Sequence, residues 1–498
     1  MNRVFPRGTL TVKGTSSQMA SSAVRAEWED GAMTDPAPPV ESLAGHARDT
    51  HVVIVGGGIA GLVAAWECAK VGLQTTVVEA DAEFGGTIRS ADIAGFTLDV
   101  GADGFATGGG QVEAIIDELG LSAELVDSAE LPVWIADAGV VAPAPADSVL
   151  GIPANPWDAS VRRMIGWRGA WRAYLDRLRP PLTIGQQRNL DALVRGRMGD
   201  RVVDRLVAPV TVGRHGLRPD EVDVDLAAPG LNTALTRTGS LGGAVAQVRA
   251  DREGAPRYRS LVGGMTGLVE GLLERLRVLG ADVAGESPVS ALTRHGDGRW
   301  GVTIGDGEVI ADVVIIATPE AEARRLLAPH VPVVEADGGL APLDTVTLVV
   351  NGSLEGREVL PVPGASPARS VTVPSHRWAS QAERVGADAV VVRVTLAEPA
   401  ADDEAAIAAA KDAASALLGQ SLDVRGARRA TFHPSPPRSA TGRMVQSERV
   451  RNGVRAVGGL SVIGGWIAGS GLAQIIPDAL DAAERVRRHA LFGAEAAE

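Results

Sequence analysis

Cysteine, lysine and aromatic residues are all scarce in this chain. Among 498 residues there is one cysteine, Cys68, so no internal disulfide can form and nothing calls for an oxidising compartment. Cys68 stands among alanine, tryptophan and valine in a helical stretch and reads as a small buried hydrophobe rather than a nucleophile. There are three lysines, Lys13, Lys70 and Lys411, against forty-five arginines, and two tyrosines, Tyr174 and Tyr258. Aromatic residues make up 3% of the chain, too few for an obvious aromatic cage. The eight histidines are scattered singly, without the spacing of metal ligands, so no metal is expected. A net charge of −13 disfavours nucleic acid as a partner.

Long apolar runs are missing as well. The first forty-nine residues hold no apolar core of secretory length and are expected to be a disordered tail, with Met33 an alternative start. Residues 456–476 carry no charge and could span a bilayer by length alone, but six of them are glycine and Pro477 follows, so no membrane span is expected. The apolar fraction of 45% with 22% charged residues is that of a soluble globular protein of two or three domains, expected in the cytoplasm.

What the chain does have is glycine in a particular order. The β-branched run His51 to Val55 breaks into Gly56, Gly57 and Gly58, and small apolar residues from Ile59 to Ala69 continue as a helix. Gly56 permits the tight turn, Gly58 lets backbone approach a pyrophosphate, and Gly61 allows the helix to pack closely on the strand. The phosphates would rest on the free N–H groups at the helix start, around Ile59 and Ala60. A second strand, Gln74 to Val78, ends in Glu79, placed to accept hydrogen bonds from ribose hydroxyls. Strand, turn, helix and acid together give the context that the dinucleotide fingerprint requires.

After Glu79 and Ala80 comes a second glycine turn, Gly85-Gly86-Thr87-Ile88-Arg89-Ser90. It resembles the extension that flavin enzymes of the amine-oxidase and porphyrinogen-oxidase superfamily add to the fingerprint, and so implies FAD. The stretch from Gly95 to Phe105 resembles the segment that runs under the flavin in porphyrinogen oxidases, with Asp99, Ala102 and Asp103 where that family usually has Glu, Pro and Asp. A helix opened by the stretch Arg259 to Leu268 and running through Leu279, a strand bearing Val283, hairpins at Gly296 to Gly298 and Gly305 to Gly307, and a strand from Asp312 to Ala317 return the chain to the flavin sheet in the family's order. From His51 to Arg488 the chain is similar to the protoporphyrinogen and coproporphyrinogen oxidases.

The resemblance implies an α/β architecture, α+β overall: a Rossmann-type FAD-binding domain (50–94, 255–334, 441–492), an antiparallel-sheet substrate domain (95–149, 231–254, 335–440) and a helical lobe (150–230). It places FAD on Gly56, Gly58, Ile59, Ala60, Gly61, Glu79 and Ala80, and on Gly85, Gly86, Thr87 and Arg89. Further contacts are expected from Gly101, Ala102 and Asp103, from Val283 and Ala317, and from the closing motif with Trp466, Gly471 and Ile476. In that closing motif a strand at Gly453 to Val457 precedes a glycine loop and the last helix. The substrate sheet includes an alanine-rich helix from Asp402 to Leu418, and departs from the family pattern at Phe432 to Arg443.

The implied activity is oxidation of a porphyrinogen, an anionic tetrapyrrole, to the porphyrin in heme biosynthesis, with dioxygen reoxidising the flavin. No acid–base dyad is required and no residue is singled out as catalytic, since the flavin carries the difficult step. A flavin amine oxidase is disfavoured because none of the three lysines is placed near the flavin; a carotenoid-desaturase-like enzyme and an inactive, partner-binding flavoprotein stay open. From Gly151 to Arg218 thirteen arginines face five aspartates, +8 in a chain of −13, so the remainder carries −21. This lobe is expected to meet an anion, either substrate carboxylates or a membrane surface, or else to be a solvated face. Four propionates are preferred over two on that charge, with coproporphyrinogen III the expected substrate.

Overall fold

The computed structural model describes residues 40–179, 187–251, 258–335 and 339–492. Its first sheet is parallel, with five strands in the order Asp282–Ala284, Gln74–Val78, His51–Val55, Val313–Ile316 and Leu460–Val462. Continuous β-branched runs suit a sheet covered on both faces, and Val52, Val53, Ile54, Val314, Ile315 and Ile316 are all fully buried. The helix Ile59–Lys70 lies between this sheet and the last helix, Leu472–Phe492; every one of its residues up to Ala69 is buried. Cys68 is inside that core, where burial pushes its thiol up to about 12, so it stays protonated and inert.

The second sheet has seven strands, ordered Val424–Phe432, Leu343–Asn351, Ala389–Leu396, Ala368–Thr372, Glu358–Pro361, Val133–Asp137 and Val140–Pro143. All neighbours are antiparallel except Glu358–Pro361, which runs parallel to Val133–Asp137. Alternation decides its faces. Val346, Leu348, Val350, Val392, Val394 and Val371 pack against the alanine-rich helix Asp403–Leu418, whose N-cap is the Asp402 side chain. On the opposite face Val349 and Val391 pack on Ile93, Leu98 and Val100, while Ile135 joins the core of the helical lobe, which includes Ala159–Tyr174, kinked at Gly166, and Leu190–Met198.

Two expectations are corrected. The tail does not extend to residue 49: Val40–Asp49 is a helix, and Ala47 is buried in the core of the parallel sheet. A lone amphipathic turn next to a proline-rich stretch carries too little periodicity to be seen in sequence; residues 1–39 lie outside the described part. The closing strand is not Gly453 to Val457. Those residues end the helix Arg443–Val457, whose Val450 and Val454 face inward four positions apart, and Gly458 and Gly459, both with positive φ, separate it from the strand Leu460–Val462. Among the described residues no helix is long and apolar enough to cross a membrane.

Candidate functional site

The fingerprint turn is closed by contacts that only glycine permits. Gly56 has φ +110 and donates its N–H to the Val78 carbonyl at 2.8 Å; a Cβ there would stand 2.8 Å from the Ala317 oxygen. A Cβ on Gly61 would stand 2.0 Å from the Gly56 oxygen. Gly58 differs: the nearest atom to its ideal Cβ is the Gly86 Cα, 3.9 Å away. The second glycine turn lies alongside, with the Gly85 N–H donating to the Gly57 carbonyl at 2.8 Å, so Gly58 and Gly86 lie against each other: a Cβ on Gly86 would stand 3.4 Å from the Gly58 Cα, and a Cβ on either would meet only the other. The helix beginning at Ile59 has no side-chain cap, and its first hydrogen bond, from the Leu62 N–H to the Gly58 carbonyl, leaves the N–H groups of Ile59, Ala60 and Gly61 for a ligand.

Glu79 sits at the end of its strand with each carboxylate oxygen accepting one backbone N–H, from Gly57 at 2.6 Å and Asp81 at 3.0 Å. An anion held in this way keeps lone pairs free for ribose hydroxyls. A cavity of about 680 Å³ opens beside it, lined by Gly56, Gly58, Glu79, Ala80, Gly86, Arg89 and Ala317 from among the expected residues. Two polar atoms at this cavity are buried without a partner: the Thr318 hydroxyl and the Nε of Arg89, whose Nη2 pairs with Asp81. A glycine cradle, an uncapped helix start, a carboxylate at the ribose position and orphaned polar atoms fit the adenosine diphosphate half of FAD.

Sequence reasoning missed one wall of that cavity. Ser287 to Ser290 and the helix Glu320–Leu327 complete it, and Arg325 holds the two together by donating to the carbonyls of Ser290 and Val289 at 2.6 and 2.8 Å. No local pattern announces these residues; only the return of the chain past the parallel sheet brings them there. Val283, on the edge strand, pairs with Val77 outside the cavity lining.

The remaining expected residues fall into two groups. Thr87, Gly101, Ala102 and Asp103 lie together where the second glycine turn crosses the next segment: the Ala102 N–H donates to the Thr87 carbonyl at 2.8 Å, and a Cβ on Gly101 would meet that oxygen at 2.0 Å and the Phe432 ring at 3.0 Å. The loop before the last helix approaches the fingerprint turn instead: a Cβ on Gly464 would stand 3.9 Å from the Ala317 oxygen and the Ala60 side chain, and Gly465 packs on Ser435. Gly471 ends this loop and accepts from Gln474. Trp466 and Ile476, by contrast, turn their side chains into the protein core: Trp466 is covered by the Arg324 guanidinium and Ile476 packs near the fingerprint helix.

Asp99 lies beneath this group and is buried, with Oδ1 accepting from the Met265 N–H at 3.1 Å and Oδ2 left without a partner. Burial pushes its carboxyl up to about 6, against the pull of Arg393. A folded-state value above the unfolded one means that the fold favours the protonated acid, so stability falls as pH rises from about 4 through 6. Asp99→Asn is therefore expected to raise the urea midpoint at pH 8, by an amount equivalent to roughly 2 kcal/mol, and to lose about half that advantage at pH 5. A gap that does not change with pH would contradict this account of Asp99.

Residues 59–489 match the sequence model of the family described as flavin containing amine oxidoreductase. A coproporphyrinogen III oxidase from Propionibacterium freudenreichii is 27% identical, with 91% of this chain and 94% of that protein covered. One from Mycobacterium tuberculosis (strain ATCC 25618 / H37Rv) is 28% identical, covering 84% and 93%. Among solved structures, a protein from Exiguobacterium sp. 255-15 named for protoporphyrinogen oxidation shares the fold, with a TM-score of 0.77 at 24% identity over 88% of this chain and 99% of that one.

Proposed function

Because the chain belongs to the family of flavin containing amine oxidoreductases and is an FAD-dependent oxidoreductase, we propose that it oxidises a porphyrinogen to the porphyrin in heme biosynthesis, coproporphyrinogen III in preference to protoporphyrinogen IX, with dioxygen as the final acceptor. The observation that carries this is the likeness over almost the full length of both chains to proteins named coproporphyrinogen III oxidase, joined to a cradle that fits FAD. Residues 50–94, 255–334 and 441–492 would hold the cofactor; 95–149, 231–254 and 335–440, with the lobe 150–230, would hold the substrate.

FAD held in this cradle would supply the two-electron acceptor for each hydride removed, with a proton from the porphyrinogen lost to solvent and dioxygen taking the electrons on, and the chain supplies position and electrostatics. Gly58 and Gly86 admit the pyrophosphate, the N–H groups of Ile59 and Ala60 and the Arg89 cation balance its charge, and Glu79 holds the ribose. Among the described residues no lysine stands at the expected flavin position, so amine-oxidase chemistry of that kind has little support: Lys70 pairs with Glu67 and Glu118 at the end of the fingerprint helix, Lys411 is on the helix behind the seven-stranded sheet, and Lys13 lies outside the described residues.

The lobe does not offer the spare arginines that its charge suggested. Ten of its thirteen arginines donate to a carboxylate or a backbone carbonyl; Arg195 alone serves Asp191, Asp200 and Asp204, and Arg172, Arg201 and Arg205 tie helix ends. Among the described residues Arg163, Arg168 and Arg177 are left without such a partner, and all three are exposed. The preference for a tetracarboxylate therefore rests on the named relatives and on cations elsewhere. The test is anaerobic mixing of the yellow protein with each porphyrinogen: coproporphyrinogen III should bleach the flavin faster. Faster bleaching by protoporphyrinogen IX would reverse the preference, and bleaching by neither would remove the activity.

A further inference from the structure

The face of the seven-stranded sheet away from the alanine-rich helix carries charge. Val359 and Val371 pack toward that helix, so Glu358 and Leu360 project from the other face, as does Arg393 between the inward Val392 and Val394. A lobe turn, Thr211–His215 closed by Gly216 in the left-handed region, runs across this face. It can approach so closely because Gly213 presents no side chain: a Cβ there would stand 2.7 Å from Leu360 and 3.2 Å from the Arg369 carbonyl. The turn is a π-helix, a form that concentrates at functional sites.

Arg369 leaves its strand at the irregularity between Ala368 and Ser370, and its guanidinium lies against Gly216, 3.3 Å from where a Cβ would be. Four arginines gather on this side of the sheet, and three have acids, Arg377 standing 4.0 Å from Glu358. Arg214 pairs with Glu358, and Arg393 pairs with Asp103 of the segment beneath the expected flavin at 2.9 Å. Arg369 has no ion pair and no side-chain hydrogen bond among the described residues, and its Nε is buried without a partner. The side chain is half-buried, and that partial burial lowers its pKa.

A half-buried guanidinium whose Nε is sealed off without a partner is costly, and ordinarily an acid supplies the compensation. Here the surroundings suggest that the acid arrives with a ligand. His215 is accessible to solvent although burial and Arg214 push its imidazole below the usual range, as expected for the wall of an internal chamber. With Thr211, Leu150, Val222, Met444 and Ser470 it lines a cavity of about 420 Å³ between the lobe and the glycine loop before the last helix. The turn that Arg369 touches is thus also a wall of the space beside the flavin loop.

We infer that Arg369 is a carboxylate-binding residue of the substrate site and takes one side-chain carboxylate of the anionic tetrapyrrole, resting on the porphyrinogen reading above. A guanidinium fork suits a carboxylate bidentately, whereas an ammonium on the same stem reaches only one oxygen at a time. The rival is a purely structural role, a cation stabilising the C-terminal end of the turn.

The test uses the full-length, FAD-loaded protein with coproporphyrinogen III as substrate and coproporphyrin III as an equilibrium ligand. Arg369→Met should raise KM, and the dissociation constant for coproporphyrin III, about 10- to 100-fold with kcat nearly unchanged, and Arg369→Lys should fall between. Unchanged KM and binding with a lowered urea midpoint would overturn the proposal in favour of the structural role. Should Arg369→Met fail to retain FAD, Arg369→Lys decides, an unchanged KM there overturning it equally. Should the wild-type protein oxidise no porphyrinogen, the function fails separately, and coproporphyrin III binding alone judges the arginine: equal affinity in wild type and Arg369→Met overturns it.

Discussion

Gly58→Val protein is expected to fold normally and to purify colourless. Gly58 has φ −71 and ψ 174, an extended conformation that valine adopts readily, so the backbone gives no reason for misfolding. Its Cβ would fit without overlap, 3.9 Å from the Gly86 Cα, and its branches would occupy the cavity that both glycines line. On the proposed reading the pyrophosphate lies against this turn, over the N–H groups of the helix start, and the added methyl groups displace it. Gly61→Val provides the contrast. Its Cβ would overlap the Gly56 carbonyl oxygen at 2.0 Å, so the strand and helix would be forced apart and the fold itself should suffer. Flavin content and circular dichroism separate the two: Gly58→Val should lose FAD and keep its spectrum, while Gly61→Val should lose both. Stoichiometric FAD in Gly58→Val would mean that the cofactor does not cross this turn.

The largest loss of stability is expected from Glu320→Ala. Glu320, in the first turn of its helix, is buried together with Arg324 and binds two arginines at once. Arg324 donates to its Oε1 through Nε and Nη2 at 2.9 and 2.8 Å, and Arg443 donates to both oxygens at 3.1 Å while also reaching the Trp466 carbonyl. Removing the acid leaves two cations in the interior, a change that costs about 3–5 kcal/mol when a buried pair is broken from one side. Glu322, Arg325 and Leu326 of the same helix line the cofactor cavity, so FAD affinity should weaken as well. Urea denaturation reads the first effect and flavin release the second. Adding Arg443→Met should recover part of the loss, because one of the stranded charges is then gone. A loss under about 1 kcal/mol would place the cluster with ordinary exposed pairs.

Those two sites differ in how far sequence could reach them. Gly56, Gly58, Gly61 and Glu79 were readable because each does a local job at a set distance from the others, and strand, turn and helix all lie within thirty residues. The alanine-rich helix was readable for the same reason: a local period with Asp402 as its cap. Glu320, Arg324, Arg443 and Trp466 meet only because two distant segments close on one another, and nothing in either segment marks the partner. The closing strand was misplaced because a helix with few apolar residues and a three-residue strand both give weak periods, and Gly458 and Gly459 decide the boundary through backbone conformation rather than pattern. The charge of the lobe misled for a different reason. Net charge counts arginines but cannot show that Arg195 or Arg197 already has its carboxylate.

The central claim, that this chain uses FAD to oxidise a porphyrinogen, is tested most directly by mixing the wild-type protein and Gly58→Val with coproporphyrinogen III in the absence of oxygen. Wild-type protein should lose its oxidised-flavin absorbance at a rate that rises with substrate, regain it when air is admitted, and accumulate fluorescent porphyrin on repeated cycles, while Gly58→Val should form no porphyrin above the rate of spontaneous oxidation. A wild-type flavin that stays oxidised with both coproporphyrinogen III and protoporphyrinogen IX, although FAD is bound in full, would contradict the claim and leave a flavoprotein whose substrate is something else.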